Sequence, residues 1–211
     1  RSYGAEVVLV PGVYDDAAAE AERLTKEHGY TFAHPFNDPL VIAGQGTIGL
    51  EILEQLPDAE QIVVPIGGGG LIGGIAFAVK QLKPDCRIVG VQAAGAASMY
   101  LSRHAGGPTE LRSVSTIADG IAVKKPGDLT FALCQQYVDE IVTVSEDEIA
   151  SAILALMEGQ KTVAEGAGAV PVAAVMFGKV DTSEKKTVCV VSGGNVDVTT
   201  LSRIITKGLS K

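Results

Sequence analysis

Short runs that are apolar almost throughout, Glu6 to Val10, Ile62 to Ile66, Arg87 to Gln92, Glu140 to Val144 and Thr187 to Val191, alternate along this chain with longer segments of helical spacing. A strand that is apolar on both faces must be covered on both faces, which a parallel sheet between two helical layers achieves. The helical segments are Asp15 to His28, Gly46 to Gln55, Leu71 to Leu82, Asp128 to Tyr137, Glu146 to Met157 and Val163 to Phe177. The pattern therefore specifies an α/β fold, an open parallel twisted sheet with helices on both faces.

Composition supports a folded core and removes several function classes. A hydrophobic share of 46% with 20% charged residues over 211 positions is ample for continuous burial. The net charge is −8 with no basic cluster, so nucleic acid finds no electrostatic footprint. Apolar stretches break at Gly, Pro or a charge before the ~20 residues a membrane-spanning helix needs, and no leader-type segment opens the chain. Cys86, Cys134 and Cys189 are odd in number, widely spaced and without a C-x-x-C pair, which fits a reducing compartment and no zinc site. The expectation is a cytoplasmic protein. Two prolines in His34-Pro35-Phe36-Asn37-Asp38-Pro39 mark a connector, with a strand-helix-strand piece over residues 1–33 before it and the main domain over 34–211.

Glycine is where chemistry enters. The chain has 25 Gly and no Trp, and the densest cluster, Pro65-Ile66-Gly67-Gly68-Gly69-Gly70-Leu71-Ile72-Gly73-Gly74, joins a strand to a helix. Residues without a Cβ let several backbone N–H groups converge on one anion, and the following helix adds its unpaired N-terminal donors and its dipole. A phosphate suits such a cradle. A nucleotide P-loop would need G-K-[ST], whereas Leu71-Ile72-Gly73 follows here and the first lysine of the helix is Lys80. Gly68, Gly70 and Gly73 satisfy the dinucleotide spacing, but the next strand ends at Gln92 rather than at an acid for a ribose hydroxyl. The competing reading is that the glycines only ease a tight turn.

A second constellation, Val190-Val191-Ser192-Gly193-Gly194-Asn195, follows the last strand at the same carboxyl edge. Ser192 stands where it can hydrogen-bond a bound ring or phosphate. The absence of G-x-S-x-G, and the separation of His28, His34 and His104 from it, argue against a nucleophilic serine. Asp119 before Gly120 and Glu165 before Gly166 are carboxylates in glycine-flanked loops, equally readable as turn formers. Ser145 through Glu148 form a capping box ahead of Ile149 and carry no chemistry.

Taken in order, the blocks VIAGQGTIGLEI at 41–52, PIGGGGLIGG at 65–74, TIADGI at 116–121, EGAGA at 165–169 and VSGGNVD at 191–197 resemble fold-type II enzymes that use pyridoxal 5′-phosphate, with the tryptophan synthase β-like architecture. Within that group the likeness is to threonine dehydratases (threonine ammonia-lyases), with serine racemase and serine dehydratase as close relatives. The resemblance implies that Gly67, Gly68, Gly69, Gly70 and the Leu71 amide hold the cofactor phosphate, that Ser192 contacts the pyridine nitrogen, and that Gly120 and Glu165 lie beside the cofactor. It implies dehydration and deamination of L-threonine and L-serine, with racemization or another β-elimination or replacement as the alternative within the fold and a noncatalytic phosphate-binding fragment as the alternative outside it. The S-x-K-x-R type segment that carries the Schiff-base lysine in these enzymes is absent, so no catalytic residue is assigned in this chain. The likeness thus reads the chain as the carboxyl-side part of a longer enzyme whose N-terminal segment completes the site. Residues 1–33 are then the end of the small cofactor-closing domain and 34–211 the large domain. A regulatory ACT-type domain after the carboxyl end and homo-oligomerization are further implications. Gln92 and Ser98 stand where racemase relatives offer a glutamate and an aspartate, so no metal site is expected at Gln92, Ala96 and Ser98.

Overall fold

The computed structural model describes residues 3–12 and 14–209. The chain divides into two compact units, Arg1–His34 and Pro35–Lys211.

Among the described residues of the first unit one helix forms, α1 (Tyr14–His28). Arg23 pairs with Glu20 and Glu27 along its exposed side. It ends at Gly29, whose left-handed φ of 67° lets its N–H reach the Thr25 carbonyl at 2.9 Å. The expected strands on either side do not form among the described residues. Residues 5–10 and 30–34 are irregular, and Val8 and Leu9 are exposed. A strand exists through hydrogen bonds to a neighbour, and the described residues of this unit hold no such neighbour.

The second unit is built on a parallel sheet: β1 (Gln61–Pro65), β2 (Arg87–Ala93), β3 (Glu140–Val144) and β4 (Thr187–Cys189), in the order β3-β2-β1-β4. Gln61 pairs with Arg87 and with Thr187, and Val89 with Glu140. Alternate residues feed two cores, as the two-residue period of a strand requires. Ile62, Val64 and Ile88 join Ile72, Ile75, Val79 and Val138 on one face. Val63, Val89, Val91 and Ala93 join Ile149, Ile153, Val170 and Ala173 on the other. Each such Val or Ile contributes roughly 1.5–3 kcal/mol by leaving water.

The helices are α2 (Pro39–Gln55), α3 (Gly70–Leu82), α4 (Ser98–Ala105), α5 (Asp128–Tyr137), α6 (Glu146–Gln160), α7 (Gly166–Met176) and α8 (Val198–Leu209). Three helices depart from the sequence reading, and for the first the cause is local. Helix α2 begins at Pro39 rather than at Gly46. Asp38 is extended, as a residue before proline prefers, and its carboxylate accepts from Leu40 N at 2.8 Å and Val41 N at 3.1 Å. Proline at the first helical position lacks only a donor that would be unpaired anyway, so Pro39 starts a helix instead of preventing one. Helices α4 and α8 were not anticipated. The capping box is present: Glu148 N donates to Ser145 Oγ at 3.3 Å and Ser145 N to Glu148 Oε2 at 2.7 Å. Burial works to raise the Glu148 carboxyl, but the Ser145 amide and the Lys179 ammonium at 3.2 Å outweigh it and hold it below the usual range. No described helix is long and apolar enough to cross a membrane.

Candidate functional site

The chain leaves β1 toward β2 on one side, while β4 returns on the other. The carboxyl ends of β1 and β4 therefore bound the switch point, the crevice where open α/β sheets take ligands. Both glycine constellations lie there, each directly after its strand.

The loop Ile66–Gly69 turns from β1 into α3. Gly69 is its pivot, with φ 98° and ψ 1°, and its carbonyl receives the Gly73 N–H at 2.9 Å. Gly68, Gly69, Gly70 and Ile72 are buried and Leu71 is half-buried. Among the described residues, no group accepts a hydrogen bond from the N–H of Gly68, Gly69, Gly70, Leu71 or Ile72. Buried amides without partners are costly and rare, and at a helix N-terminus they form an anion site. A phosphate monoester, with several acceptor oxygens and two charges, satisfies what this loop lacks.

Glycine itself has a second explanation at these positions. A Cβ on Gly68 would lie 2.4 Å from the Phe36 ring, and one on Gly70 would lie 2.9 Å from Phe36 Cα. Phe36 thus packs against the loop from the start of α2, and Thr130 Oγ1 on α5 donates to Gly68 O at 2.6 Å from beneath. Close packing explains why residues 68 and 70 have no side chain. It does not explain the unpaired amides, which are what separate a ligand cradle from a tight turn.

The remaining candidates meet the loop through a chain of contacts. A Cβ on Gly67 would stand 3.5 Å from Gly120 O, and one on Gly120 would stand 3.1 Å from Glu165 Oε1. Glu165 precedes α7. It donates its N–H to Gly193 O at 3.2 Å and accepts from Asn195 N through Oε2 at 3.1 Å. The 192–195 loop is thereby tied to the start of α7. Ser192 is half-buried, and among the described residues its hydroxyl has no hydrogen-bond partner. Asp119 is exposed and accepts from Gly120 N at 3.1 Å, as a turn former does. Gly67, Gly120, Glu165 and Ser192 come from separated stretches of chain and converge at one sheet edge. Phe36, Thr130 and Met99, whose methyl lies 2.7 Å from where a Gly69 Cβ would be, also support the loop and were missed, because nothing in their local sequence marks them.

Gln92 is fully buried and satisfied. Its Nε2 donates to Ile66 O and Ala96 O, each at 3.3 Å, and its Oε1 accepts from Tyr100 N at 2.8 Å. The Ala96 carbonyl is thus engaged by a donor. Gln92→Glu places a carboxylate against two carbonyls, and in a chelator it should cost about 1–3 kcal/mol or more. Combined with Ser98→Asp, it should regain stability on adding calcium, read as a rise in melting temperature. A double variant as stable in chelator as the parent contradicts this reading of Gln92.

Comparison with known proteins places the chain among relatives of one kind. Residues 1–194 match the family described as pyridoxal-phosphate dependent enzyme. All 211 residues align at 55% identity with an L-threonine ammonia-lyase of Thermotoga maritima, covering 52% of that enzyme. A catabolic L-threonine dehydratase of Escherichia coli K12 is 47% identical over 204 residues, 96% of this chain and 62% of that one. The chain thus spans about half the length of the first of these curated relatives. Among solved structures, threonine deaminase isoform 2 of Solanum lycopersicum superposes with a TM-score of 0.91 at 40% identity over 99% of this chain and 58% of that one. Maize serine racemase gives 0.87 at 36% identity over 99% and 65%.

Proposed function

Because the chain belongs to the family of pyridoxal-phosphate dependent enzymes, we propose that it forms the phosphate-gripping and ring-facing part of an L-threonine ammonia-lyase that also accepts L-serine. The observation that carries this reading is the run of unpaired amides from Gly68 to Ile72, all but the half-buried Leu71 in buried residues, at the sheet's switch point. Bound there, pyridoxal phosphate supplies an electron sink that stabilizes negative charge at the substrate Cα. The amides of Gly68 through Leu71 grip the phosphate, each charge-assisted bond contributing roughly 1.5–3 kcal/mol, with Gly67 leading the chain into the loop. Glu165 and Gly120 hold the wall between the two loops, and Glu165 fixes the segment that presents Ser192. The Ser192 hydroxyl is uncharged, so it donates to an unprotonated ring nitrogen where a carboxylate would keep that nitrogen protonated. A tempered sink suits loss of the Cα proton and the β-hydroxyl, after which the released enamine hydrolyses to 2-oxobutanoate and ammonia.

In the same reading, residues 1–33 close the small domain and 34–211 are the large one. The lysine that bonds the cofactor lies in an N-terminal segment outside this chain, an ACT-type regulatory domain is a candidate neighbour, and the enzyme is a cytoplasmic homo-oligomer. Racemization is the second reading, favoured by the likeness to maize serine racemase. Full-length enzyme given L-serine should release pyruvate in excess of D-serine, and given L-threonine should release 2-oxobutanoate and ammonia. D-serine in excess selects the racemase. Ser192→Asp should retain the cofactor yet lose elimination, and unchanged turnover in that variant refutes the role of Ser192.

A further inference from the structure

The peptide between Gly68 and Gly69 joins two residues that lack a Cβ, so no side chain on either one opposes its rotation. A trans peptide is planar, with its C=O and N–H on opposite sides. Whatever holds the Gly68 carbonyl therefore sets the direction of the Gly69 N–H, one of the amides for which the described residues offer no acceptor.

The Thr130 hydroxyl holds it. Thr130 Oγ1 donates to Gly68 O at 2.6 Å, and no other donor among the described residues reaches that carbonyl. A threonine hydroxyl has a single proton to give. Its other nearby acceptor, Gly127 O at 3.1 Å, already receives the Phe131 N–H at 2.8 Å, so the proton belongs to the shorter contact. Thr130 is fully buried, where water does not reach to take its place. Its own position is fixed as well. It stands in the first turn of α5, whose cap residue Gly127 has no side chain, and Asn37 supplies the missing acceptor by taking the Leu129 N–H at 3.1 Å. With the Gly68 carbonyl drawn to α5, the Gly69 N–H points away from α5. A peptide turned the other way would present a carbonyl oxygen there, and an anion would meet an acceptor in place of a donor.

We propose that Thr130 is a positioning residue of the phosphate loop: through its bond to the Gly68 carbonyl it aims the Gly69 N–H at the cofactor phosphate, without touching the cofactor itself. The proposal rests on the reading of this loop as the phosphate site and adds to it what keeps the loop in its binding orientation.

Full-length enzyme stripped of cofactor is titrated, by absorbance, with pyridoxal phosphate and with pyridoxal, which has the same ring and aldehyde but no phosphate. Thr130→Val, which replaces the hydroxyl with a methyl of similar size, should weaken pyridoxal phosphate about tenfold or more and leave pyridoxal unchanged. Thr130→Ser, which keeps the hydroxyl and loses the methyl, should restore the preference for the phosphorylated form. The phosphorus NMR resonance of the bound cofactor should shift in the valine variant and return in the serine variant. Thr130→Ala removes the hydroxyl with less bulk beside Gly69 and serves if the valine variant folds poorly. A selective parent with an equally selective valine or alanine variant overturns the proposal alone, as does a serine variant that loses the preference to the same extent. Variants that weaken both ligands alike show a merely structural role and overturn it too. A parent that binds pyridoxal as tightly as pyridoxal phosphate overturns the phosphate reading of the loop, and the proposal with it.

Discussion

Gly69→Ala is expected to weaken cofactor binding by the full-length enzyme about 100-fold or more while leaving the fold intact. The residue sits at φ 98°, in the left-handed region, which costs a residue with a Cβ roughly 1–2 kcal/mol. The added carbon would also lie 2.7 Å from the Met99 methyl and 2.9 Å from Thr130 Cβ. The methyl is the end of a flexible side chain and can swing aside. Thr130 cannot, because it is fully buried and its hydroxyl is bonded to Gly68 O at 2.6 Å. The loop must move instead, turning the amides of residues 68–71 out of convergence. Losing two charge-assisted bonds at roughly 1.5–3 kcal/mol each gives the stated weakening. Gly106→Ala is the matched control: φ is 79° there, but nothing lies within 4 Å of the new carbon. It should show backbone strain without loss of cofactor. Absorbance titration with pyridoxal phosphate measures both, and a Gly69→Ala enzyme that binds as tightly as the parent removes the phosphate cradle from the account.

What was legible in the sequence follows from how local each signal is. The strands of the second unit were readable because Ile62 to Val64 and Ile88 to Val91 are buried on both faces, and such runs have few other uses. The same pattern misled at Glu6 to Val10, since apolar residues show what a strand would bury but not whether a neighbour is there to pair with it. The start of α2 was misplaced because Pro39 was weighed as a breaker without Asp38 before it as a cap. The glycine loops were legible as continuous motifs, each contained in a single turn. Phe36, Met99 and Thr130 were not: they reach the tetrad through space from other elements, and a phenylalanine after proline carries no mark of packing on a glycine 32 positions later.

Gly74→Ala should destabilize the protein by about 1–2 kcal/mol, although alanine is the better helix former by about 1 kcal/mol. Gly74 lies inside α3 where it crosses α2, and a Cβ there would stand 2.3 Å from Ile42 O and 2.7 Å from Gly46 N. Both are backbone atoms of a hydrogen-bonded helix, so no rotamer change relieves the contact and α2 must shift as a body. Overpacking of this kind typically costs 1–3 kcal/mol, sometimes more, and here it outweighs the propensity gain. Gly159→Ala tests the sign. It lies on the exposed side of α6 with nothing within 4 Å, and should be neutral or stabilizing by about 0.5–1 kcal/mol. Urea midpoints of the two variants should therefore move in opposite directions, and a Gly74→Ala protein as stable as its parent rules out the close crossing. The displacement also reaches the site. Phe36, just before α2, packs on Gly68 and Gly70, and α3 begins at Gly70. Separating α2 from α3 moves the two supports of the loop apart, so Gly74→Ala should weaken cofactor binding as well, whereas Gly159→Ala should leave it unchanged.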